Sequence, residues 1–264
     1  MGLMINTNIE AFNAHRNLVN TENALSKSMQ RLSSGLRINS AADDAAGLAI
    51  SEKLTGQVNG LDQAARNVGD GVSLVQTAEG SLNQVHAMLQ RIRELAVQYQ
   101  NGTLATSDQQ AIQSEVNQLV SEINRIGSTA QFNGIALFSS TTTISFQVGA
   151  NDSEVISVTT TAMASMVGAI SLGTSSTLST VDSYINSVSA TRASFGAVQN
   201  RLQYTLDNLS TYEENLTASL SRIRDVDMAS EMVTFTKEQI LQQAGTSMLA
   251  QANSAPQSVL KLLQ

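Results

Sequence analysis

Apolar residues recur every seven positions through Val181, Val188, Phe195, Leu202, Leu209, Leu216 and Ile223, with no proline to interrupt them. A helix that keeps one stripe apolar at this period turns that stripe toward a partner helix, so a long helical seam is predicted from about Leu178 to Arg224. The same kind of pattern reaches both chain ends. Ile5, Ile9, Phe12, Leu18, Leu25, Met29, Leu32 and Leu36 open the chain, and Ile240, Leu241, Met248, Leu249, Ala252, Val259 and Leu262 close it. Chain ends ordinarily fray, yet these carry the residues of a packed seam. Two amphipathic ends on a polar chain point to a subunit completed by its neighbours rather than to an enzyme enclosing a pocket.

Between the ends the period changes twice. A first helix, about Asn8 to Leu36, runs into the turn-forming Ser33-Ser34-Gly35 and Asn39-Ser40. Ala41 to Ala46 brackets Asp43-Asp44, acids suited to the positive end of a starting helix. Val75, Ala78, Leu82, Val85, Leu89, Ile92, Ala96 and Tyr99 then alternate three and four apart, giving a second long helix that Asn101-Gly102 ends. Ser107 or Asp108 is expected to cap a third helix, with Ile112, Val116, Leu119, Ile123 and Ile126 on its seam. Ile144, Phe146 and Val148 alternate with polar residues, and after Gly149 to Ser153 Ile156 and Val158 alternate again, which predicts a β-hairpin. Nearly half of residues 139–180 are Ser or Thr, which reads as a surface segment or linker. Past Asp225-Val226-Asp227 a last helix contains Pro256, expected to bend it locally.

The predicted fold is therefore mainly α: a long coiled-coil helical rod with a small β-hairpin and amphipathic helices at both chain ends. Residues 41–225 form a helical rod domain, with the hairpin near 144–159 and a short Ser/Thr-rich connection at 160–180.

Composition narrows the functional classes. The 264 residues include no Trp, no Cys and one Pro, and aromatics make up 4%, so thin aliphatic seams fit better than an aromatic pocket. A net charge of -7 with scattered basic residues argues against nucleic acid, whose phosphates need concentrated Lys and Arg. The lack of Cys suits a chain that crosses a membrane unfolded without forming wrong bridges. Arg16 is the first basic residue and no apolar h-region follows it, which argues against Sec-type secretion. No stretch approaches the ~18 apolar residues of a membrane-spanning helix, so no membrane insertion is expected.

A search for catalytic chemistry finds none, and no catalytic, cofactor or metal residue is assigned. His15 and His86 lie on different predicted helices without Cys or carboxylates at ligand spacing. Asp43 and Asp44 point about 100° apart on a helix and are explained by its N-terminus. Gly69-Asp70-Gly71 lacks the preceding strand and third glycine of a dinucleotide loop. Four Asn-X-Ser/Thr sequons are no more than so Asn- and Ser/Thr-rich a chain provides by chance.

Several contiguous runs carry a family resemblance. They are Ile5-Asn6-Thr7-Asn8, the run from Gln30 through Arg31-Leu32-Ser33-Ser34-Gly35-Leu36-Arg37-Ile38-Asn39-Ser40 to Gly47, and Gln131-Phe132-Asn133-Gly134. At the other end stand Gly196-Ala197-Val198-Gln199-Asn200-Arg201-Leu202 and the run from Gln239 to Asn253. In these the chain resembles bacterial flagellin. The resemblance implies a secreted, extracellular filament subunit, exported unfolded through the flagellar type III apparatus and polymerised with its own copies. It also implies contact with an export chaperone and with filament cap and hook-junction proteins. Residues 1–40 and 226–264 then resemble the paired N- and C-terminal halves of the inner-tube coiled coil, with Ile5, Ile9, Phe12, Leu18, Leu25, Met29, Leu32, Leu36, Ile240, Leu241, Met248, Leu249, Val259 and Leu262 as its packing residues. Many flagellins carry large outer domains after the hairpin; here only about residues 160–180 are available, so a minimal form is expected.

Leu89 to Gln98 resembles the segment recognised by the flagellin-sensing Toll-like receptor of animals, with Glu115 at the companion position. Leu89, Ile92 and Ala96 take the seam, leaving Gln90, Arg91, Arg93, Glu94 and Gln98 outward. Gln90, Arg91, Glu94, Leu95 and Glu115 are accordingly assigned to a subunit or receptor surface. Val259, Leu260, Leu262 and Leu263 resemble the C-terminal motif of cytosolic innate sensors, with Gln264 in place of a basic last residue. A hook-junction protein, a soluble coiled-coil adaptor and, third, an enzyme are the alternatives. The central matches disfavour the first, and the Gln131 to Gly134 motif and amphipathic ends disfavour the second.

Overall fold

The computed structural model of the protein describes residues 8–173 and 177–262, with side-chain surroundings up to residue 254. Ile5 and the side chains of Val259, Leu260, Leu262 and Leu263 lie outside that description. The described elements are α1 (Ile9–Ser34), α2 (Ala45–Tyr99), α3 (Thr106–Thr129), β1 (Gln131–Phe132), β2 (Ile135–Ala136), β3 (Thr142–Gln147), β4 (Val155–Thr160), α4 (Met163–Met166), α5 (Thr177–Arg224) and α6 (Met228–Leu262). They fall into two compact units, one of residues 57–214 and one formed by residues 1–56 with 215–264. The terminal unit thus takes in more chain than the expected 1–40 and 226–264.

In the central unit α2 and α5 run antiparallel. Arg192 pairs with Glu79 at 3.4 Å and Arg93 with Asp182 at 2.6 Å, so ascending positions on one helix meet descending positions on the other. Val75, Ala78, Leu82, Val85, Leu89, Ile92 and Ala96 of α2 are fully or almost fully buried, as are Val181, Val188, Phe195 and Leu202 of α5. The heptad reading is correct here, and the core is filled where it predicts. Phe138 stands 6.5 Å from Phe195, centroid to centroid, and brings the β-region onto the helices.

The cap of α3 differs from expectation. The helix starts at Thr106, so Asp108 is its third residue and accepts from the Ala105 N–H at 3.4 Å instead of serving as the cap. At the start of α2 the expected roles of the two acids separate. Asp44 accepts from Gly47 N at 2.8 Å and caps the helix, whereas Asp43 bonds within the preceding loop.

The β-hairpin forms as predicted. β3 and β4 pair antiparallel with Ile144 opposite Val158 and Phe146 opposite Ile156. A second, shorter hairpin joins β1 and β2 through Asn133-Gly134, where φ is +47° and +80°. Two consecutive positive φ values make the tight turn that Asn-Gly favours, because neither residue pays heavily for the left-handed region. Residues 160–173, the described part of the expected connection at 160–180 before α5, do not behave as a linker. Met163, Met166, Val167, Ile170 and Leu172 are buried, and Leu172 N donates to Gln113 Oε1 at 2.8 Å, so sparse apolar residues in a hydroxyl-rich stretch close this part of the core.

Candidate assembly surface

In the terminal unit α1 and α6 lie antiparallel. Asn8 Nδ2 donates to Ala252 O at 2.7 Å near one end, and Arg31 reaches Glu231 at 3.7 Å near the other. The less exposed positions of α1 are Ala11, Ala14, Leu18, Thr21, Leu25, Ser28 and Leu32, and those of α6 are Glu231, Phe235, Glu238, Gln242, Gly245, Leu249 and Ala252. Both sets alternate three and four apart, which defines a seam. It is narrow and rich in small residues: Leu18 packs against Gly245, where an added Cβ would stand 3.2 Å from the leucine Cδ1.

The end of this pair is tied down by backbone. α1 stops at Gly35, whose φ of +71° releases the chain from the helix. Leu36 then bridges Asp225, with Arg37 N donating to Arg224 O at 2.7 Å and Val226 N to Gly35 O at 3.1 Å. Asp43 gathers Lys27 Nζ at 2.7 Å, Ser40 N and Oγ at 3.1 Å, and Asn39 N at 3.3 Å. Lys27 first, then these donors, hold the Asp43 carboxyl far below its ordinary pKa.

The terminal stripes read from sequence divide into two faces. Leu18, Leu25, Leu32 and Leu249 are half-buried in the α1–α6 seam, and Leu36 is half-buried in the bridge beyond it. Ile9, Phe12, Met29, Ile240, Leu241 and Met248 are exposed, Phe12 to 70% and Met248 to 63%. Successive residues turn by about 100°, which places Phe12, Val19, Val233 and Ile240 on the side of their helices opposite that seam. Val19, Met232 and Val233 were missed in the sequence, although Val19 stands seven after Phe12 and Val233 seven before Ile240. A water-soluble pair needs one apolar stripe per helix; α1 and α6 carry large exposed apolar side chains beyond that seam as well.

A second surface lies on α2 and α3. Arg91 donates to Glu115 at 3.0 Å across the two helices and to Glu94 at 3.2 Å along its own. Glu115 and then Glu94 raise the guanidinium pKa. Gln90 is exposed and stands 3.0 Å from His86 Nε2. Leu95, assigned to this surface from its place in the motif, is only 2% exposed. It follows Ile92 by three residues and joins the buried side of α2, so the outward patch is Gln90, Arg91, Glu94 and Glu115.

Comparison with known proteins agrees with the geometry. Residues 5–143 match the bacterial flagellin N-terminal helical region, and residues 178–263 match the bacterial flagellin C-terminal helical region. A flagellin of Halalkalibacterium halodurans is 51% identical, covering 99% of this chain and all of its own. The flagellar filament 33 kDa core protein of Treponema phagedenis is 46% identical over the same shares. The crystal structure of Bacillus cereus flagellin is 28% identical and superposes with a TM-score of 0.51, over 59% of this chain and 94% of the other. The chain belongs to the bacterial flagellin family.

Proposed function

We infer that the outward stripes of α1 and α6 are the surfaces through which this chain, a structural subunit of the bacterial flagellar filament, packs against other copies of itself. One observation carries this reading: both terminal helices hold large apolar side chains outside the α1–α6 seam, and among the described residues nothing covers them. Exposed apolar stripes of this extent mark interaction sites. Ile9, Phe12, Met29, Ile240, Leu241 and Met248 are the intersubunit contacts, and Leu18, Leu25, Leu32 and Leu249 hold the α1–α6 pair that presents them. Residues 1–40 and 226–264 thus supply the inner-tube coiled coil, to which Ile5, Val259 and Leu262 are assigned by pattern alone.

Secretion to the cell exterior as an unfolded chain goes with this reading and is supported by the lack of Cys. Contact with the export chaperone, the filament cap and the hook-junction proteins rests on family membership. The patch of Gln90, Arg91, Glu94 and Glu115 is proposed to serve a neighbouring subunit in the filament and an animal Toll-like receptor on the monomer. Its support is the exposed, cross-helix Arg91–Glu115 pair. Cytosolic innate sensors would read the last apolar residues.

Ile240→Asp tests the assembly surface. An unpaired charge within a packed apolar contact costs several kcal/mol, so sedimentation and negative-stain microscopy should find no filaments. Circular dichroism should find the central unit still folded. Filaments of normal length and yield from this variant would remove α6 from the subunit contact. Leu249→Asp should also fail, by breaking the intrachain pair.

A further inference from the structure

The net charge of -7 is divided unequally between the two units. Residues 1–56 with 215–264 hold nine Lys or Arg against nine Asp or Glu and are neutral; residues 57–214 hold six Arg against thirteen Asp or Glu and carry the whole -7. Every cation of the central unit except Arg201 is balanced by an acid of the same unit. Arg66, Arg91, Arg93, Arg125 and Arg192 are each engaged with an acid of the same unit. Among the described residues Asp70, Asp152, Asp207 and Glu214 are exposed acids with no ion pair. The terminal unit balances its charges internally, through Lys27–Asp43, Arg31–Glu231 and Arg224–Glu52.

From this division we propose that the central unit works as an electrostatic brake on polymerisation: the neutral terminal unit supplies attraction between copies, and the acidic central unit sets the ionic strength at which attraction prevails. The proposal rests on the filament reading above, since only repeated packing of copies brings many -7 units together. Repulsion between solvent-exposed charges reaches about 10 Å at 0.1 M salt and ~3 Å at 1 M. Assembly should therefore be weak in dilute buffer and strengthen as salt is added. Apolar contacts between neutral terminal units lack this dependence on simple salt at moderate concentration. The same distribution keeps unassembled copies apart and soluble.

The test measures the critical concentration for growth from preformed seeds in NaCl, from about 0.02 to 0.3 M, a range over which the screening length shortens several-fold. NaCl is preferred to sulfate, which strengthens apolar burial itself. For the wild-type chain the critical concentration should fall by about tenfold or more across this range, the size expected when screening removes several like-charge contacts. The triple variant Asp152→Asn, Asp207→Asn, Glu214→Gln should polymerise at lower salt with a flatter dependence. Arg201→Gln should shift the requirement to higher salt. Thermal unfolding followed by circular dichroism confirms that the variants fold alike. Filaments from wild-type and triple variant with the same salt dependence overturn the brake and leave the filament reading standing. No growth at any salt or concentration overturns both.

Discussion

The heptad stripe of α5 runs from one unit into the other without a change in sequence pattern, and its burial changes along the way. Val181, Val188, Phe195, Leu202 and Leu209 are buried in the central unit, while Leu216 and Ile223, in the terminal unit, are half-exposed. The contrast extends to whole units. The central unit buries large residues such as Leu82, Leu89, Ile123, Phe138 and Phe195, whereas Ile38 is the one buried hydrophobic residue described in the terminal unit. An apolar period therefore specifies that a face will be covered, not which chain covers it. In the central unit the chain covers itself; in the terminal unit the cover is assigned to other copies.

The sharpest break between the units should be in amide exchange of the monomer. Small anchors in a narrow seam, with large apolar residues left outside, cannot offset the backbone entropy of ordering two long terminal helices. Amides of residues buried along α2 and α5 in the central unit should open only with global unfolding, at about 5–15 kcal/mol. Those of α1 and α6 should exchange near the unprotected rate and become protected on polymerisation. Equal protection of α6 from Ile240 onward in monomer and filament would end the idea that the terminal unit depends on its neighbours.

Side-chain truncation sharpens the same contrast. Phe195→Ala removes a ring that is 1% exposed and packed on Phe138, and should destabilise the central unit by about 3–5 kcal/mol in denaturant unfolding. Phe12→Ala removes a ring of equal size that is 70% exposed, and should leave the monomer within about 0.5 kcal/mol. In filaments the order should change, with Phe12→Ala raising the critical concentration. A monomer destabilised as much by Phe12→Ala as by Phe195→Ala would show the two faces to be equivalent after all.

Much of this was legible in the residues. The long seams and the β3–β4 hairpin follow from periods of seven and two, and the pairing of the chain ends is what the family resemblance implies. The second hairpin was legible as well, since Asn133-Gly134 is a strong turn signal, but it joins two strands too short to display alternation. Residues 160–180 misled because hydroxyl content outweighed Met163, Met166, Val167 and Ile170, although their spacing of three, one and three is that of one helix face. Leu95 misled because position in a motif does not give position on a face. The division of the terminal stripes into an inward and an outward set was not legible. Leu and Met at adjacent heptad positions look alike until a partner helix selects one side.

Asp43 supplies a smaller and pH-dependent difference between the units. Its carboxyl is held below the ordinary aspartate value by Lys27 and the loop donors, so its contribution is present at neutral pH and is lost as pH falls below the ordinary value toward the folded one. This loop belongs to the terminal unit, and its stability is read out in filaments. Acidification should raise the wild-type critical concentration relative to that of Asp43→Asn, which starts higher at pH 7 and changes less. Parallel pH profiles for the two would remove Asp43 from the acid response.

The smallest structural effect is expected at Arg91, where the contrast is between holding a fold and being read. Arg91 and Glu94 are more than half exposed and Glu115 nearly so, and pairs of this kind add little to stability because water and salt screen them. The residues beneath them, Leu89, Ile92 and Leu95, remain buried in Arg91→Ala, and Ala favours the helix. The thermal transition of the central unit should therefore hardly move. Yet a guanidinium fixed by two carboxylates presents a planar, preorganised donor set to a partner, and partner surfaces concentrate their binding in such arginines. Receptor activation by monomeric Arg91→Ala should fall, and by Glu115→Ala fall less, because the second change frees Arg91 without removing it. Unchanged activation by Arg91→Ala, or equal binding of receptor to intact filaments and monomers, would separate this patch from both proposed contacts and leave it a solvated face of a stable unit.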